Sequence, residues 1–345
     1  MKKIVIDGSF VSKNVTGVQR FNWEVLKTLV YFNDIEWYIA VSNDTDIKKL
    51  NGIPNLKIIQ QGKKNNKRWQ FFTLTKIAKK LHADVLCMSN FTPLFKKDYL
   101  VLHDVTFLDK EGNNRKLWAF AYKFFVSFRF NKHKHIFTVS EFSKERISYH
   151  YKKYPKNKIT VVGSAGDHWN KIEEKKPSFI TDDKEYFLSV GSTTPNKNFK
   201  YVIELAKKNN DKHFEIVGRI DENIKKYVGE LSNVHFTGYV SNEELKWLYK
   251  NCQGFILPST YEGFGLPPLE AIFCGCKSIL LSDINVFKEI YKDAAIYFNP
   301  YDYENQIDLN NIKTISEVEK QRLMTTYTWL NVATKIYNVI KEESK

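Results

Sequence analysis

Short apolar runs, each the length of one buried strand, alternate with helical segments twice along this chain. In the first half the runs are Lys3–Asp7, Trp37–Val41, Leu56–Ile59, Asp84–Met88, Tyr99–Leu102, Ile136–Val139 and Ile159–Val162. Between the first two, Val18, Phe21, Val25, Leu26 and Leu29 recur at helical spacing after Thr16-Gly17. Strand followed by helix, repeated, builds a parallel sheet, because a parallel connection needs a long crossover. A polar stretch from Lys171 to Lys184 then breaks the rhythm. It resumes with strands at Tyr186–Gly191, His213–Val217, His235–Thr237, Gly254–Leu257 and Ser278–Leu281, and helices at Phe199–Lys208, Glu243–Tyr249 and Pro267–Cys274. The expectation is an α/β chain of two Rossmann-like domains, residues 1–170 and 171–326. An amphipathic last helix, about 327–343, is expected to fold back on the first domain.

Composition agrees and excludes several classes. A chain of 345 residues, 43% hydrophobic and 15% aromatic, can fill two cores and is not disordered. The four cysteines have neither a disulfide framework's density nor zinc-ligand spacing, which fits a reducing compartment. MKKIVIDGSF is too short in apolar residues for a signal peptide, and no apolar run nears the ~20 residues of a membrane span. A cytoplasmic protein is expected. Charge is uneven: residues 1–170 hold 30 Lys+Arg against 14 Asp+Glu, and residues 171–345 hold 23 against 25. The basic half seeks an anionic partner.

The richest local pattern is Pro258-Ser259-Thr260-Tyr261-Glu262-Gly263-Phe264-Gly265-Leu266-Pro267-Pro268-Leu269-Glu270. It leaves a buried strand, passes through two glycines and enters a helix at two prolines, where N–H groups are not needed. A helix start of this kind suits phosphate oxygens. Glu262 before the helix and Glu270 on it suit hydroxyls. The ligand implied carries both.

Together with Thr16-Gly17-Val18-Gln19-Arg20-Phe21, His103-Asp104, Val139-Ser140-Glu141-Phe142-Ser143-Lys144, Lys197-Asn198 and Thr237-Gly238-Tyr239-Val240, this ordered set resembles family 4 of the glycosyltransferases (glycosyltransferase group 1). The resemblance covers nearly the whole chain. It implies the GT-B architecture, two Rossmann-like domains facing across a cleft, and a retaining hexosyltransferase that uses a nucleotide-sugar donor. Glu270 would bind ribose hydroxyls, a task a carboxylate can perform by accepting two hydrogen bonds. Glu262 would hold hydroxyls of the transferred sugar; a helix-capping role is the structural alternative. Backbone N–H groups of Gly263, Phe264, Gly265 and Leu266 would meet sugar and diphosphate, and Lys197 would neutralise the diphosphate. Gly17 would approach the diphosphate from the other domain. Tyr239 and Val240 would contact the base through backbone atoms, and His103, at a strand's carboxyl end, the donor sugar or reacting centre. Many relatives carry an arginine where Ser192 or Asn196 stands here; Arg219 is the candidate replacement.

No metal or other cofactor is expected, and Asp44-Thr45-Asp46 reads as solvated loop acids. Arg115 to His135, rich in aromatics and cations, reads equally as a core helix or as an interfacial helix on anionic lipid. Lys63-Lys64 with Lys67-Arg68-Trp69 forms a second basic-aromatic cluster. The expected partners are a nucleotide-sugar, a lipid-linked or oligosaccharide acceptor of bacterial surface polysaccharide (capsule or O-antigen), and a peripheral contact with anionic membrane, but no nucleic acid. The competing reading is a catalytically weak nucleotide-sugar-binding partner of another transferase.

Overall fold

The computed structural model describes residues 1–90, 98–109, 130–181, 184–192, 194–220 and 222–343. The chain divides into two units. One takes Met1–Leu108, continues to Ser164 and ends with the chain from Trp329; the other contains Ala165–Thr328.

Among the described residues the first unit holds a seven-stranded sheet ordered β3-β2-β1-β4-β5-β6-β7, every pair parallel. Its strands are β1 Lys2–Asp7, β2 Ile35–Val41, β3 Leu56–Gln60, β4 Asp84–Cys87, β5 Tyr99–Val101, β6 His135–Thr138 and β7 Ile159–Val161. Val5, Val85, Leu100 and Ile136 are buried and join helix residues such as Leu74 and Ile77 in one core, as expected of strands covered on both faces. Helices α1 (Gly17–Leu29), α2 (Leu74–Leu81) and α3 (Glu141–His150) supply cover; the last starts at Ser140, whose hydroxyl accepts the Ser143 N–H.

The second unit has a six-stranded parallel sheet ordered β10-β9-β8-β11-β12-β13. Its elements are β8 Tyr186–Val190, α4 Phe199–Lys208, β9 His213–Val217, α5 Glu222–Val228, β10 Val234–Gly238, α6 Asn242–Asn251, β11 Gly254–Leu257, α7 Leu266–Phe273, β12 Ile279–Ser282, α8 Asn285–Tyr291, β13 Ile296–Phe298 and α9 Glu317–Thr326. Phe187, Phe214, Ile256 and Leu280 centre its core. α6 opens with a capping box in which Ser241 and Glu244 exchange side-chain and backbone hydrogen bonds.

The junction falls earlier than residue 170. Trp169 is buried against Tyr249 of α6, and its carbonyl accepts from Lys246 Nζ at 3.0 Å. Hydrophobic burial therefore binds the 3-10 turn Asp167–Lys171 to the second unit. The polar stretch after it also lies on α6, with Lys175 N donating to Glu243 O at 3.0 Å. The last helix, α10 (Trp329–Glu342), belongs to the first unit: Trp329 packs edge-on to Phe21 of α1, and Lys2 Nζ donates to Ile340 O at 2.8 Å. Tyr327 stays with the second unit, edge-on to Phe264.

Both strand orders reverse direction once, between β1 and β4 in the first sheet and between β8 and β11 in the second. In open α/β sheets the loops leaving the strands diverge at such a reversal and open a crevice at the carboxyl ends.

Candidate active site

The second unit's crevice carries the charged residues singled out in the sequence. The loop after β8 tightens into a 3-10 turn, Pro195–Lys197, and Asn198 follows in the left-handed conformation before α4. The loop after β11 runs alongside it. Asn196 ties the two together: its carbonyl accepts Thr260 N–H at 2.8 Å and its amide donates to Tyr261 O at 3.3 Å. Lys197 Nζ then reaches Glu262 Oε1 at 2.5 Å, and the buried Ser259 hydroxyl donates to the same oxygen at 2.8 Å. The pair is a charge-assisted hydrogen bond. Both contacts fall on Oε1, so the lone pairs of Oε2 remain for a ligand. Glu262 does not cap the following helix, whose N-cap is Gly265 with no side-chain bond.

Gly265 is required by its conformation. It sits at φ 83°, and a Cβ there would lie 2.4 Å from the Phe287 ring. Its carbonyl accepts from Tyr291 Oη at 2.5 Å. In a planar trans peptide the C=O and the next N–H point opposite ways, so Leu266 N–H is turned away from Tyr291. Pro267 and Pro268 have no N–H. Of the first four residues of α7, only Leu266 and Leu269 can donate, which concentrates the free dipole of the helix start on few groups. The Phe264 side chain is buried, so this residue can meet a ligand only through its backbone.

Glu270 sits inside α7 with its side chain 14% exposed. Tyr249 Oη donates to its Oε2 at 3.4 Å, and His168 Nε2 stands 3.8 Å from its Oε1. Burial and the neighbouring Glu270 charge push the Tyr249 phenol well above its usual range.

The adjacent strand ends are exposed. Gly218, at φ 130°, brings β9 so near β8 that a Cβ would stand 2.0 Å from Gly191 O. Arg219 therefore leaves the sheet beside Ser192, exposed to solvent. Gly218 N also donates to Gly238 O at 2.8 Å, which sets the end of β10 alongside. Tyr239 there is 83% exposed, and Val240 is half-buried.

The other two expected residues, Gly17 and His103, lie in the first unit. Gly17 is exposed at the start of α1, where Thr16 makes no side-chain cap. His103 follows β5, buried, its ring edge-on to Phe21 of α1 at 4.8 Å. A carbonyl can only accept, so the 3.1 Å contact with Met88 O fixes Nε2 as the protonated nitrogen and leaves Nδ1 as acceptor. Burial holds the imidazole below its usual range, against that hydrogen bond and the Asp104 charge. Asp104 itself accepts from Thr106 N and Oγ at 3.0 and 2.7 Å, a turn-forming role. Asp46 likewise holds a turn, accepting from Lys48 N–H at 2.9 Å, while Asp44 ties its loop to the next by accepting from Asn65 N–H at 3.2 Å.

Two expected surface features change. Residues 115–129 of the aromatic stretch lie outside the described residues; of its end, Phe130 is a core residue stacked on Tyr151. In the second cluster Trp69 is buried, its Nε1 donating to Gln61 O, because the loop closes over it. Lys63, Lys64, Lys67 and Arg68 stay exposed, and the exposed aromatic nearby is Phe72.

Sequence reading gave no role to Asn196, Ser259, Tyr249 or His168. Ser259 stood inside the quoted motif; the others meet their partners across the chain and leave no local pattern.

The architecture is that of the GT-B glycosyltransferases. Residues 170–325 match the family model described as "Glycosyl transferases group 1". It is 26% identical over 336 residues to the O-antigen chain mannosyltransferase RfbU of Salmonella typhimurium, covering 91% of this chain and 92% of that protein. It is 34% identical over 187 residues to the N,N'-diacetylbacillosaminyl-diphospho-undecaprenol alpha-1,3-N-acetylgalactosaminyltransferase of Campylobacter jejuni, covering 48% of this chain and 47% of that one. Among solved structures, Anabaena HepE in complex with UDP-glucose superposes with a TM-score of 0.73 at 14% identity, over 99% of this chain and 100% of that chain.

Proposed function

We propose that this protein is a retaining hexosyltransferase that moves a sugar from a nucleotide-sugar to a lipid-linked glycan acceptor in bacterial surface polysaccharide synthesis. The observation that carries the reading is the Lys197–Glu262 pair at 2.5 Å in the crevice between β8 and β11. These groups satisfy one another. A nucleotide-sugar offers each an alternative partner: a phosphate oxygen for Lys197 and a sugar hydroxyl for Glu262. Leu266 N–H and the preceding loop donate to the diphosphate, and Glu270 accepts from ribose hydroxyls.

The reaction then follows from charge. As the bond between the sugar carbon and the phosphate oxygen breaks, negative charge grows on the leaving diphosphate, and Lys197 stabilises it there. Arg219, exposed just after β9, is the candidate second cation. The acceptor hydroxyl attacks from the leaving group's face and gives its proton to the departing phosphate oxygen, so configuration is retained. No metal is assigned a part.

The acceptor assignment draws support from two similar proteins, the O-antigen chain mannosyltransferase RfbU and the Campylobacter enzyme named for a diphospho-undecaprenol acceptor. Lys63, Lys64, Lys67 and Arg68 beside the exposed Phe72 provide cations and an apolar tip for an anionic lipid surface. Among the described residues no helix is long and apolar enough to cross a membrane; contact would be peripheral.

The test is a thermal-shift screen of UDP-, GDP-, ADP- and dTDP-sugars, followed by transfer assays and an NMR assignment of the product's anomeric configuration. A donor that stabilises the wild type, and turnover that collapses in Glu262→Ala, are expected. Donor binding without turnover in the wild type would favour the catalytically weak partner instead. An inverted product would remove the same-face mechanism.

A further inference from the structure

We propose that Cys252 and Cys276 are an oxidisable thiol pair: a peroxide joins them in a disulfide, and the disulfide slows sugar transfer. The pairing needs no assumption about function. Its effect on transfer rests on the reading of the second unit as the donor-binding one.

The two thiols stand 24 residues apart in sequence, and their sulfurs meet at 3.6 Å in the interior. Their backbones are held side by side. Cys252 follows α6 and leads into β11, and Cys276 follows α7 and leads into β12. These strands are parallel, with Phe255 opposite Ile279 and Phe255 N donating to Ser278 O at 2.9 Å. Counting back three residues on each chain from that pair reaches Cys252 and Cys276. Paired strands run about 4.8 Å apart, inside the Cα separations of roughly 4.4–6.8 Å that a disulfide spans. Closing the bond takes side-chain rotation and leaves the sheet in place.

The two sulfurs have different parts in the chemistry. The Cys252 proton can turn to Tyr249 O at 3.3 Å or to Cys276 Sγ, whereas the Cys276 thiol faces Ser278 O at 3.3 Å. The hydrogen bond from Cys252, joined by backbone ones, holds the Cys276 thiol below its usual range despite burial. Burial pushes the Cys252 thiol well above it. Cys276 is therefore the nucleophile and Cys252 the resolving thiol. With hydrogen peroxide, the Cys276 thiolate attacks one oxygen, the O–O bond breaks, and the departing hydroxide takes up the thiol's proton as water. Cys276 is then a sulfenic acid. The Cys252 sulfur attacks the Cys276 sulfur, the S–O bond breaks, and hydroxide leaves with the Cys252 proton as water. Two thiols are oxidised and one peroxide is reduced. Because the resolving sulfur is already in contact, the second step outruns further oxidation.

The pair also touches the helices that carry the candidate site. Cys276 N donates to Ala271 O at 2.9 Å in the last turn of α7, the helix that starts at Leu266 and carries Glu270. Cys252 Sγ donates to the carbonyl of Tyr249, whose hydroxyl donates to Glu270 Oε2 at 3.4 Å. Oxidation removes both thiol protons and draws the sulfurs from 3.6 Å to ~2 Å. The exits of α6 and α7 are pulled together, and a shift of about 1 Å in the frame of a site costs up to roughly 10²-fold in rate.

The experiment treats the reduced protein with hydrogen peroxide, alkylates the remaining thiols and maps peptides by mass. Trypsin leaves both cysteines in one peptide, residues 251–277, so cleavage after Glu262 and Glu270 is added. The pieces then part unless a disulfide holds them. A Cys252–Cys276 cross-link is expected in wild type and in Cys274→Ser, whose 251–277 peptide has no other thiol. Turnover, read as release of nucleoside diphosphate, is expected to fall about tenfold on oxidation and to return with a thiol reductant. Cys252→Ser and Cys276→Ser should keep wild-type turnover and lose the response to peroxide. No cross-link, or sulfinic acid on Cys276 in its place, would overturn the pairing. A cross-link with unchanged turnover would overturn the control of transfer. Reduced wild type that binds a donor without transferring it refutes the functional reading instead, and the cross-link is still read by mass.

Discussion

The two units have the same kind of crevice and fill it in opposite ways. At the β1–β4 reversal of the first, the ionisable groups are withdrawn. Asp7, at the end of β1, is 1% exposed and accepts from Ser9 N–H at 3.0 Å and Gln70 Nε2 at 2.7 Å. His103 is buried and neutral against Met88 O. At the β8–β11 reversal of the second, opposite charges stand at the rim with their side chains 18% and 12% exposed. One topology thus provides a buried, internally bonded floor in one place and a reachable ion pair in the other. The fold makes the crevice; the residues just beyond the strand ends decide whether it can bind charge.

The largest break in this contrast should come from Lys197→Ala. It leaves Glu262 without its cation and removes charge stabilisation from the leaving group. We expect kcat for transfer to fall about 10²- to 10³-fold, measured by release of nucleoside diphosphate, with the melting temperature little changed. An equivalent loss is not expected from His103→Gln.

Gly265→Ala attacks the geometry of the charged crevice instead of its charge. The new Cβ would meet Phe287 at a φ that L-residues avoid. Calorimetry should show a loss of about 1–3 kcal/mol, accompanied by weaker donor binding as the Leu266 N–H is displaced.

The withdrawn groups should reveal themselves through pH. His103 has a folded pKa below its ordinary value near 6.5, so the unfolded chain binds more protons below that pH. Its contribution is fully present above about 6.5 and is lost as pH falls through that value. His103→Gln can still donate to Met88 O but does not titrate. Stability profiles between pH 5 and 8 should be flatter for the variant than for wild type.

Asp7 carries the opposite sign. Burial raises its carboxyl above the usual range, against the hydrogen bonds from Ser9 and Gln70. The folded state then favours the protonated form, so its contribution is present at low pH and is lost as pH rises past the ordinary carboxylate range. Asp7→Asn, which does not titrate, should lose less melting temperature than wild type as pH rises from 4 to 7, measured by thermal denaturation across that range. A destabilised Asp7→Asn at pH 7 would mean that the ionised form is bonded too well to be a withdrawn charge.

Much of this was written locally in the chain. β9, β11 and α4 begin and end where their apolar patterns do, at His213–Val217, Gly254–Leu257 and Phe199–Lys208. Lys197 and Glu262 were legible because glycines and prolines mark the loops that carry them. Other elements left weaker traces. β13 has only the three residues Ile296–Phe298, and α9 buries Leu323 alone, so neither shows a period. The surroundings of Glu270 were illegible for a different reason. Tyr249 donates to it from 21 residues away and His168 Nε2 lies 3.8 Å off, 102 residues away, and no spacing rule in one dimension encodes such a meeting.

The Lys197–Glu262 contact also governs what an empty site will refuse. A free phosphate that captured Lys197 would strand Glu262 without a counter-charge, and a free sugar that captured Glu262 would strand Lys197. If Lys197 and Glu262 take the proposed roles, each fragment would break the pair and repair only half of it, whereas an intact nucleotide-sugar would repair both halves in one event. Phosphate ions and loose sugars would then compete poorly even at high concentration, and recognition would become a test of whether the donor is whole.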